Sequence, residues 1–178
     1  MTRYGKEKGR SSLDSASLRD LALSYVGRFA TSRAKLSRYL ERKLAERGWG
    51  EENQPDIGAL VDRFAELGYV DDGAYARMKG ASMERRGLGA RRIGASLRAD
   101  GIGESERQET EAQARKGAWS AAEIFARRRR IGPYAREAPD AKGREKQLAA
   151  FLRAGHSMDM ARLWVDAAPG EIPAGDEG

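Results

Sequence analysis

The sequence predicts an all-α protein built from three tandem three-helix repeats that form a curved, elongated helical array. Two observations lead there. A pair of apolar residues one helical turn apart, Leu40 and Leu44, returns as Ile93 and Leu97 and again as Leu148 and Leu152, at steps of 53 and 55 residues. Periods of this length mark stacked helical modules, each too small to bury its own apolar face alone. Charge alternates along the same repeat: residues 28–47 carry a net +5, residues 51–72 a net −6 and residues 77–98 a net +6. Such an array offers one long surface, which suits binding rather than chemistry.

Residues 1–14 are polar, with Gly5 and Gly9 and no apolar period, and read as a disordered basic tail that packs against nothing. The first repeat is expected over 15–68. Asp14 or Ser15 caps a helix whose Leu18, Leu21, Ala22, Tyr25, Val26 and Phe29 recur at i, i+3, i+4 and i+7, and which is expected to stop near Thr31. Ser32 caps a second helix over 33–47 with Leu36, Tyr39, Leu40 and Leu44 on one side. Gly48 ends it in a left-handed conformation, and Trp49 folds back on the helix end. A third helix begins near Pro55 and carries Ile57, Leu60, Val61, Phe64 and Leu67 inward to Gly68.

The second repeat, 69–115, follows the same plan. Asp71 and Asp72 form an acidic N-terminus that complements the helix dipole and caps free N–H groups. Gly87-Leu88-Gly89 breaks the chain before a basic helix over 90–99, and Gly101-Ile102 matches Gly48-Trp49. A helix over 104–114 follows, acidic and poor in large apolar residues. The third repeat, 116–167, opens with Trp119, Ala122, Phe125 and Ala126 on a helix that runs into Arg127-Arg128-Arg129-Arg130 and is ended by Gly132-Pro133. A long exposed loop over 134–143 is expected next. A basic helix with Leu148, Phe151 and Leu152 stops near Gly155, and a last helix carries Met158, Ala161, Leu163, Trp164 and Val165. Residues 168–178 read as a disordered acidic tail.

Composition narrows the function. The chain has 178 residues, no cysteine and one histidine, so disulfides, thiolate nucleophiles and multi-histidine metal centres are excluded. No apolar run approaches the ~18 residues that span a bilayer, and nothing after Met1–Arg10 reads as a signal peptide, so a cytoplasmic protein is expected. The expectation is a monomer with no cofactor, no metal, no small-molecule substrate and no catalytic residue.

Gly87-Leu88-Gly89 is no phosphate-binding loop: position six of G-x-G-x-x-G is Arg92, and no strand precedes it. The Asp71-Asp72 pair caps a helix rather than catalysing, and His156, just past a helix end, bonds a carbonyl. The basic helices are the functional signal. Arginine outnumbers lysine 25 to 8, and the guanidinium fork suits bidentate contact with phosphate or carboxylate. Modules stacked in register would align Arg38, Arg42, Arg91, Arg92, Arg98, Arg144 and Arg153 in a cationic stripe, with Arg85, Arg86 and Arg127–Arg130 as further candidates. The stripe fits a nucleic acid backbone or an acidic protein groove.

These residues resemble a known family. The helix starting Ala22-Leu23-Ser24-Tyr25 with Arg28-Phe29 and Ser32, then Lys43-Leu44 and Gly48-Trp49, are joined by Leu67-Gly68-Tyr69-Val70-Asp71-Asp72 with Tyr75-Ala76. Gly87-Leu88-Gly89, Arg92-Ile93, Leu97-Arg98 and Gly101-Ile102 complete the set. Together, over residues 18–110, they are similar to the RecX family of bacterial recombination regulators. The resemblance implies a helical array lodged in the groove of a RecA–DNA filament. It also implies negative regulation of filament growth, ATP hydrolysis, strand exchange and the SOS coprotease, with binding to single- or double-stranded DNA. The alternative reading is a helical DNA-binding protein acting through nucleic acid alone.

Overall fold

The structure is a computed structural model that describes residues 12–175. Among them the regular elements are helical: α1 (Ser15–Val26), α2 (Arg33–Arg47), α3 (Ile57–Glu66), α4 (Asp72–Glu84), α5 (Ala90–Ala99), α6 (Glu104–Lys116), α7 (Ala118–Arg129), α8 (Ala141–Ala154) and α9 (Met158–Asp166), with one 3₁₀ turn at Gly132–Tyr134. The expected all-α class is what the chain adopts. It divides after Asp71 into two compact units, the first holding α1–α3 and the second α4–α9.

In the first unit the local rules operate as the sequence reads. Asp14 accepts the Ser17 N–H and caps α1, and Ser32 does the same for α2 through the Lys35 N–H. Leu18, Ala22, Leu36, Leu40, Val61 and Phe64 form its buried core. Three expectations need correcting. The first helix ends at Val26, not near Thr31: the Gly27 N–H reaches Leu23, those of Arg28 and Phe29 both fall on the Tyr25 carbonyl, and Phe29 is left 56% exposed. The third helix starts at Ile57 under an Asp56 cap, so Pro55 lies outside it, and Leu67 is exposed rather than in the core.

The third correction concerns Leu13. It is fully buried and belongs to this core, so residues 12–14 are no free tail; residues 1–11 lie outside the described part. Gly48 makes this possible. Its φ of 75° and ψ of 172° leave the chain extended instead of curled in a left-handed cap, so the Gly48 carbonyl accepts the Leu13 N–H at 2.9 Å and the Gly50 N–H returns to Leu13 at 2.9 Å. Trp49 does fold back, packing on the core beside this bridge, with its indole N–H on the Asn53 carbonyl.

Five chain reversals share one geometry, four of them in the second unit. The N–H groups of Leu88, Ile102, Ile131 and His156 return to the carbonyls five residues earlier, at Met83, Leu97, Ala126 and Phe151, after a positive-φ residue at Gly87, Gly101, Arg130 and Gly155; Tyr69, after Gly68 at the end of the first unit, does the same to Phe64. Arg130 is the departure from expectation. It ends α7 itself at φ 54°, held by the buried Ile131 that follows, and the Gly132-Pro133 pair instead forms a buried 3₁₀ turn under Trp164. The loop before α8 is accordingly shorter than expected, with Tyr134 half-buried and Asp140 capping α8 through the Gly143 N–H.

The glycine after each basic helix also corrects the repeat register. Counted from Gly48, Gly101 and Gly155, Leu44 and Leu97 correspond to Phe151, and Leu40 and Ile93 to Gln147. Phe151 is fully buried, whereas Leu152 is 37% exposed, so Leu148 and Leu152 are not the third copy of the leucine pair. Gln147 occupies an apolar position, and its buried Oε1 has no partner among the described residues.

Two hydrophobic clusters fill the second unit. One is built on Tyr75, Ala76, Met83, Ile93, Leu97, Ile102 and Ala114 and the other on Ala122, Phe125, Phe151, Ala161, Trp164 and Val165, with Leu88 touching both. They meet where Gly89 lies against Gly155: the Gly89 N–H donates to Ala154 at 2.9 Å, and a Cβ on Gly89 would come within 2.5 Å of the Gly155 carbonyl oxygen. The C-terminal segment, expected to be disordered from 168, is described to Gly175. It runs back along the unit, with the Gly170 N–H on the Pro133 carbonyl and Gly175 against the Trp119 indole.

Candidate anion-binding surface

Helix α5 reads Ala-Arg-Arg-Ile-Gly-Ala-Ser-Leu-Arg-Ala and contains no acid. Ile93, Gly94 and Leu97 are buried, so the 3.6-residue period turns Arg91, Arg92, Ala95, Arg98 and Ala99 outward, and all five are exposed. Arg85 and Arg86 follow the end of α4, in the turn that leads to this helix, and are exposed as well. None of these five arginine side chains makes an ion pair or hydrogen bond to another described residue, so their full donor capacity faces solvent. Arg153, also exposed, sits two residues before Gly155, and a Cβ on Gly155 would come within 2.5 Å of Arg92 Cβ.

The other candidate arginines differ in what they already hold. Arg127 donates to Glu123 at 2.8 Å and to the Tyr134 hydroxyl at 3.3 Å, and these partners, Tyr134 first, raise its pKa above the ordinary arginine value. Arg128 donates to the Arg86 carbonyl, and Arg129 stacks over Phe125. Arg144 forms a two-bond fork on Asp166 at 2.6 and 2.7 Å, which raises its own pKa and lowers that of Asp166. In the first unit Arg38 and Arg42 are exposed, Arg42 lying over the Tyr39 ring and 3.6 Å from Glu46. The thirteen candidates are thus not equivalent: the α4–α5 arginines are open, and Arg127, Arg128 and Arg144 brace the fold. The Glu123–Arg127 pair was visible in the sequence as an i,i+4 spacing; Arg144–Asp166, 22 residues apart, was not.

Among the described residues no three His, Asp or Glu side chains are placed to hold a metal ion, and no helix is long and apolar enough to cross a membrane. Gly87 is packed solid, since a Cβ there would lie 2.7 Å from the Phe125 backbone nitrogen, which leaves no room for a phosphate. His156 is 3% exposed between Phe125 and Phe151; its Nε2–H donates to the Gly87 carbonyl at 3.0 Å, and burial holds its pKa below 6.5. Asp72 lies in the first turn of α4, as the acidic N-terminus requires.

No family model matches the chain. Among curated proteins it is 32% identical over 164 residues to "Regulatory protein RecX" of Myxococcus xanthus (strain DK1622), covering 85% of this chain and 86% of that protein. The chain belongs to the RecX family. A RecX protein of Agrobacterium fabrum (strain C58 / ATCC 33970) is 36% identical over 105 residues, 58% of this chain and 56% of its own. The fold agrees: the crystal structure of RecX from Lactobacillus salivarius superposes with a TM-score of 0.61 at 20% identity, over 82% of this chain and 90% of that one. A second RecX crystal structure gives a TM-score of 0.59 over 86% of this chain and 78% of that one. RecX proteins are named as regulators, and this chain is a regulatory protein of that family.

Proposed function

We propose that this protein is a negative regulator of the RecA recombinase in the bacterial cytoplasm. It binds the RecA–DNA filament and limits its growth, ATP hydrolysis, strand exchange and SOS coprotease activity, and so acts in homologous recombination and DNA repair. The observation that carries the reading is the RecX match over most of both chains, joined to an acid-free α5 face whose arginines have no ion-pair or hydrogen-bond partner among the described residues. Guanidinium groups in that state engage phosphates or carboxylates, and many modest contacts along a filament sum to tight capture.

The test is RecA's DNA-dependent ATP hydrolysis on a long single strand, titrated with this protein, beside a matched assay on bare DNA. Wild type inhibits well below one copy per RecA, at concentrations that leave bare DNA mostly unbound. The Arg91→Glu, Arg92→Glu, Arg98→Glu variant loses most of that inhibition while its circular dichroism stays helical. Inhibition unchanged in this variant removes the α5 face from the account. Inhibition that begins only as DNA becomes coated, with steep salt dependence, supports the alternative of action through nucleic acid alone.

A further inference from the structure

The turn that carries Arg85 and Arg86 is fixed from outside its own segment. Gly87 and Gly89 make residues 85–89 permissive, and Gly87 holds a φ of 80°. No backbone N–H among the described residues reaches the Arg86 or Gly87 carbonyl, and each is taken instead by a side chain remote in sequence. Arg128 of α7 donates from Nη1 to the Arg86 carbonyl at 3.1 Å, across 42 residues, and His156 donates to the Gly87 carbonyl at 3.0 Å, across 69. On the far side of the turn the Gly89 and Arg91 N–H groups reach the Ala154 and Gly155 carbonyls at 2.9 and 3.3 Å.

The two side-chain donors answer different needs. Gly87 and His156 are buried, so that carbonyl has to find its partner inside the protein. Arg86 and Arg128 are exposed, and water can satisfy the Arg86 carbonyl nearly as well. Burial therefore does not demand Arg128, and charge argues against it. Its guanidinium is brought to a turn that already carries Arg85 and Arg86, and Glu84, the acid next along the chain, pairs with none of the three. Like charges gathered in this way oppose the compact state and favour an incoming anion. A hold on the Arg86 backbone has its use in binding, because a permissive turn that is fixed beforehand need not be ordered when the partner arrives.

We infer that Arg128 is a positioning residue: by holding the Arg86 carbonyl it fixes the turn and presents Arg85 and Arg86 to an anionic partner. The inference rests on the reading of the α4–α5 arginines as a binding face, and it gives α7, which lies outside that face, a part in its affinity.

The test measures two affinities of the full chain side by side: inhibition of RecA's ATP hydrolysis, and binding of inorganic polyphosphate, which needs no RecA. Arg128→Met keeps an unbranched stem at an exposed position and removes the donor. It is expected to weaken both affinities about tenfold, the size of one lost hydrogen bond from a charged group. Hydrogen exchange at the Gly89 amide speeds up by about tenfold, a local opening that leaves the denaturant midpoint near that of wild type. In the Arg85→Ala/Arg86→Ala background the same substitution changes affinity by less than about twofold, since the side chains it positions are gone. Losses that multiply across the two backgrounds overturn the inference, because Arg128 then touches the partner itself. Unchanged affinity in Arg128→Met overturns it, as does a fall in the denaturant midpoint large enough to account for the lost affinity. If wild type fails to inhibit RecA while polyphosphate shows the expected pattern, the RecA reading falls and this inference stands; wild type that shows neither affinity overturns both.

Discussion

Helix α3 packs on α2, and helix α6 packs on α4 and α5, by opposite means. The first fills space: Val61 and Phe64 are 4% and 3% exposed, with Ile57 and Leu60 packed beside them. The second has no large apolar residue and buries only Thr110 and Ala114. It packs because its partners have space removed. A Cβ on Gly80 of α4 would sit 2.5 Å from Thr110 Cγ2, and one on Gly94 of α5 would overlap the Glu111 side chain. Interiors need close packing, and the chain meets that requirement with bulk on α3 and with glycine in the helices around α6.

That contrast breaks most visibly at Phe64. Truncation to alanine removes the largest buried side chain of α3 and is expected to cost about 3–5 kcal/mol, read as a drop in denaturant midpoint, with loss of the first unit's signals. A cost under about 1 kcal/mol would mean that α3 does not depend on bulk. Next in size is Gly89→Ala, at about 2–3 kcal/mol, because the new Cβ meets the Gly155 and His156 backbone, which has no rotamer to yield.

Gly80→Ala is the sharper test of α6. Helix propensity alone would stabilise the variant by up to about 1 kcal/mol. Contact with Thr110 reverses the sign to a loss of about 1–2 kcal/mol, since Thr110 is 5% exposed and its hydroxyl is held on the Glu106 carbonyl at 2.9 Å. Thr110→Ser deletes the offending methyl, so the double variant recovers most of the loss. Additive effects in this cycle would show that α4 and α6 are not in the close contact described.

The same contrast explains what could be read from the sequence. Bulk is legible: the 3.6-residue period of Leu36, Leu40, Val61 and Phe64 placed the first unit's core, and Ser32 and Asp14 placed its caps. Absence of bulk is not, because a glycine within a helix looks like a weak position until its neighbour is known, and so the sequence of α6 shows a helix poor in large apolar residues with no sign of what it packs against. Leu13 was hidden as one apolar residue in a polar stretch, its burial set by a bridge to Trp49 made through the Gly48 carbonyl and the Gly50 N–H. Leu148 and Leu152 imitated the repeat one residue out of register. The arginines were legible as a set, but which of them are free depended on Asp166 and on the Arg86 carbonyl, 22 and 42 residues from their partners.

The two units should also part on acidification, with the smallest effect of the series. His156 is 3% exposed, and burial holds its folded pKa below 6.5. A histidine kept neutral in the fold binds fewer protons there than when unfolded, so its contribution is complete above pH 6.5 and falls as pH drops below that value toward the folded pKa. In the first unit the shifted group is Asp14, lowered from 3.8 by its hydrogen bonds to Ser17, and what it contributes persists above that value and is lost only as pH falls below it. Asp166, lowered by Arg144, adds to the second unit in the same acidic range. Between pH 6.5 and about 4.5 the second unit alone should therefore soften. The indole N–H resonances of Trp119 and Trp164 would report it by faster hydrogen exchange while Trp49 holds steady. His156→Gln keeps a donor for the Gly87 carbonyl and removes the titration, so the difference between the indoles in that window should vanish. Equal softening at Trp49, or a slope that survives in His156→Gln, would place the acid sensitivity elsewhere than at the junction of the second unit's two cores.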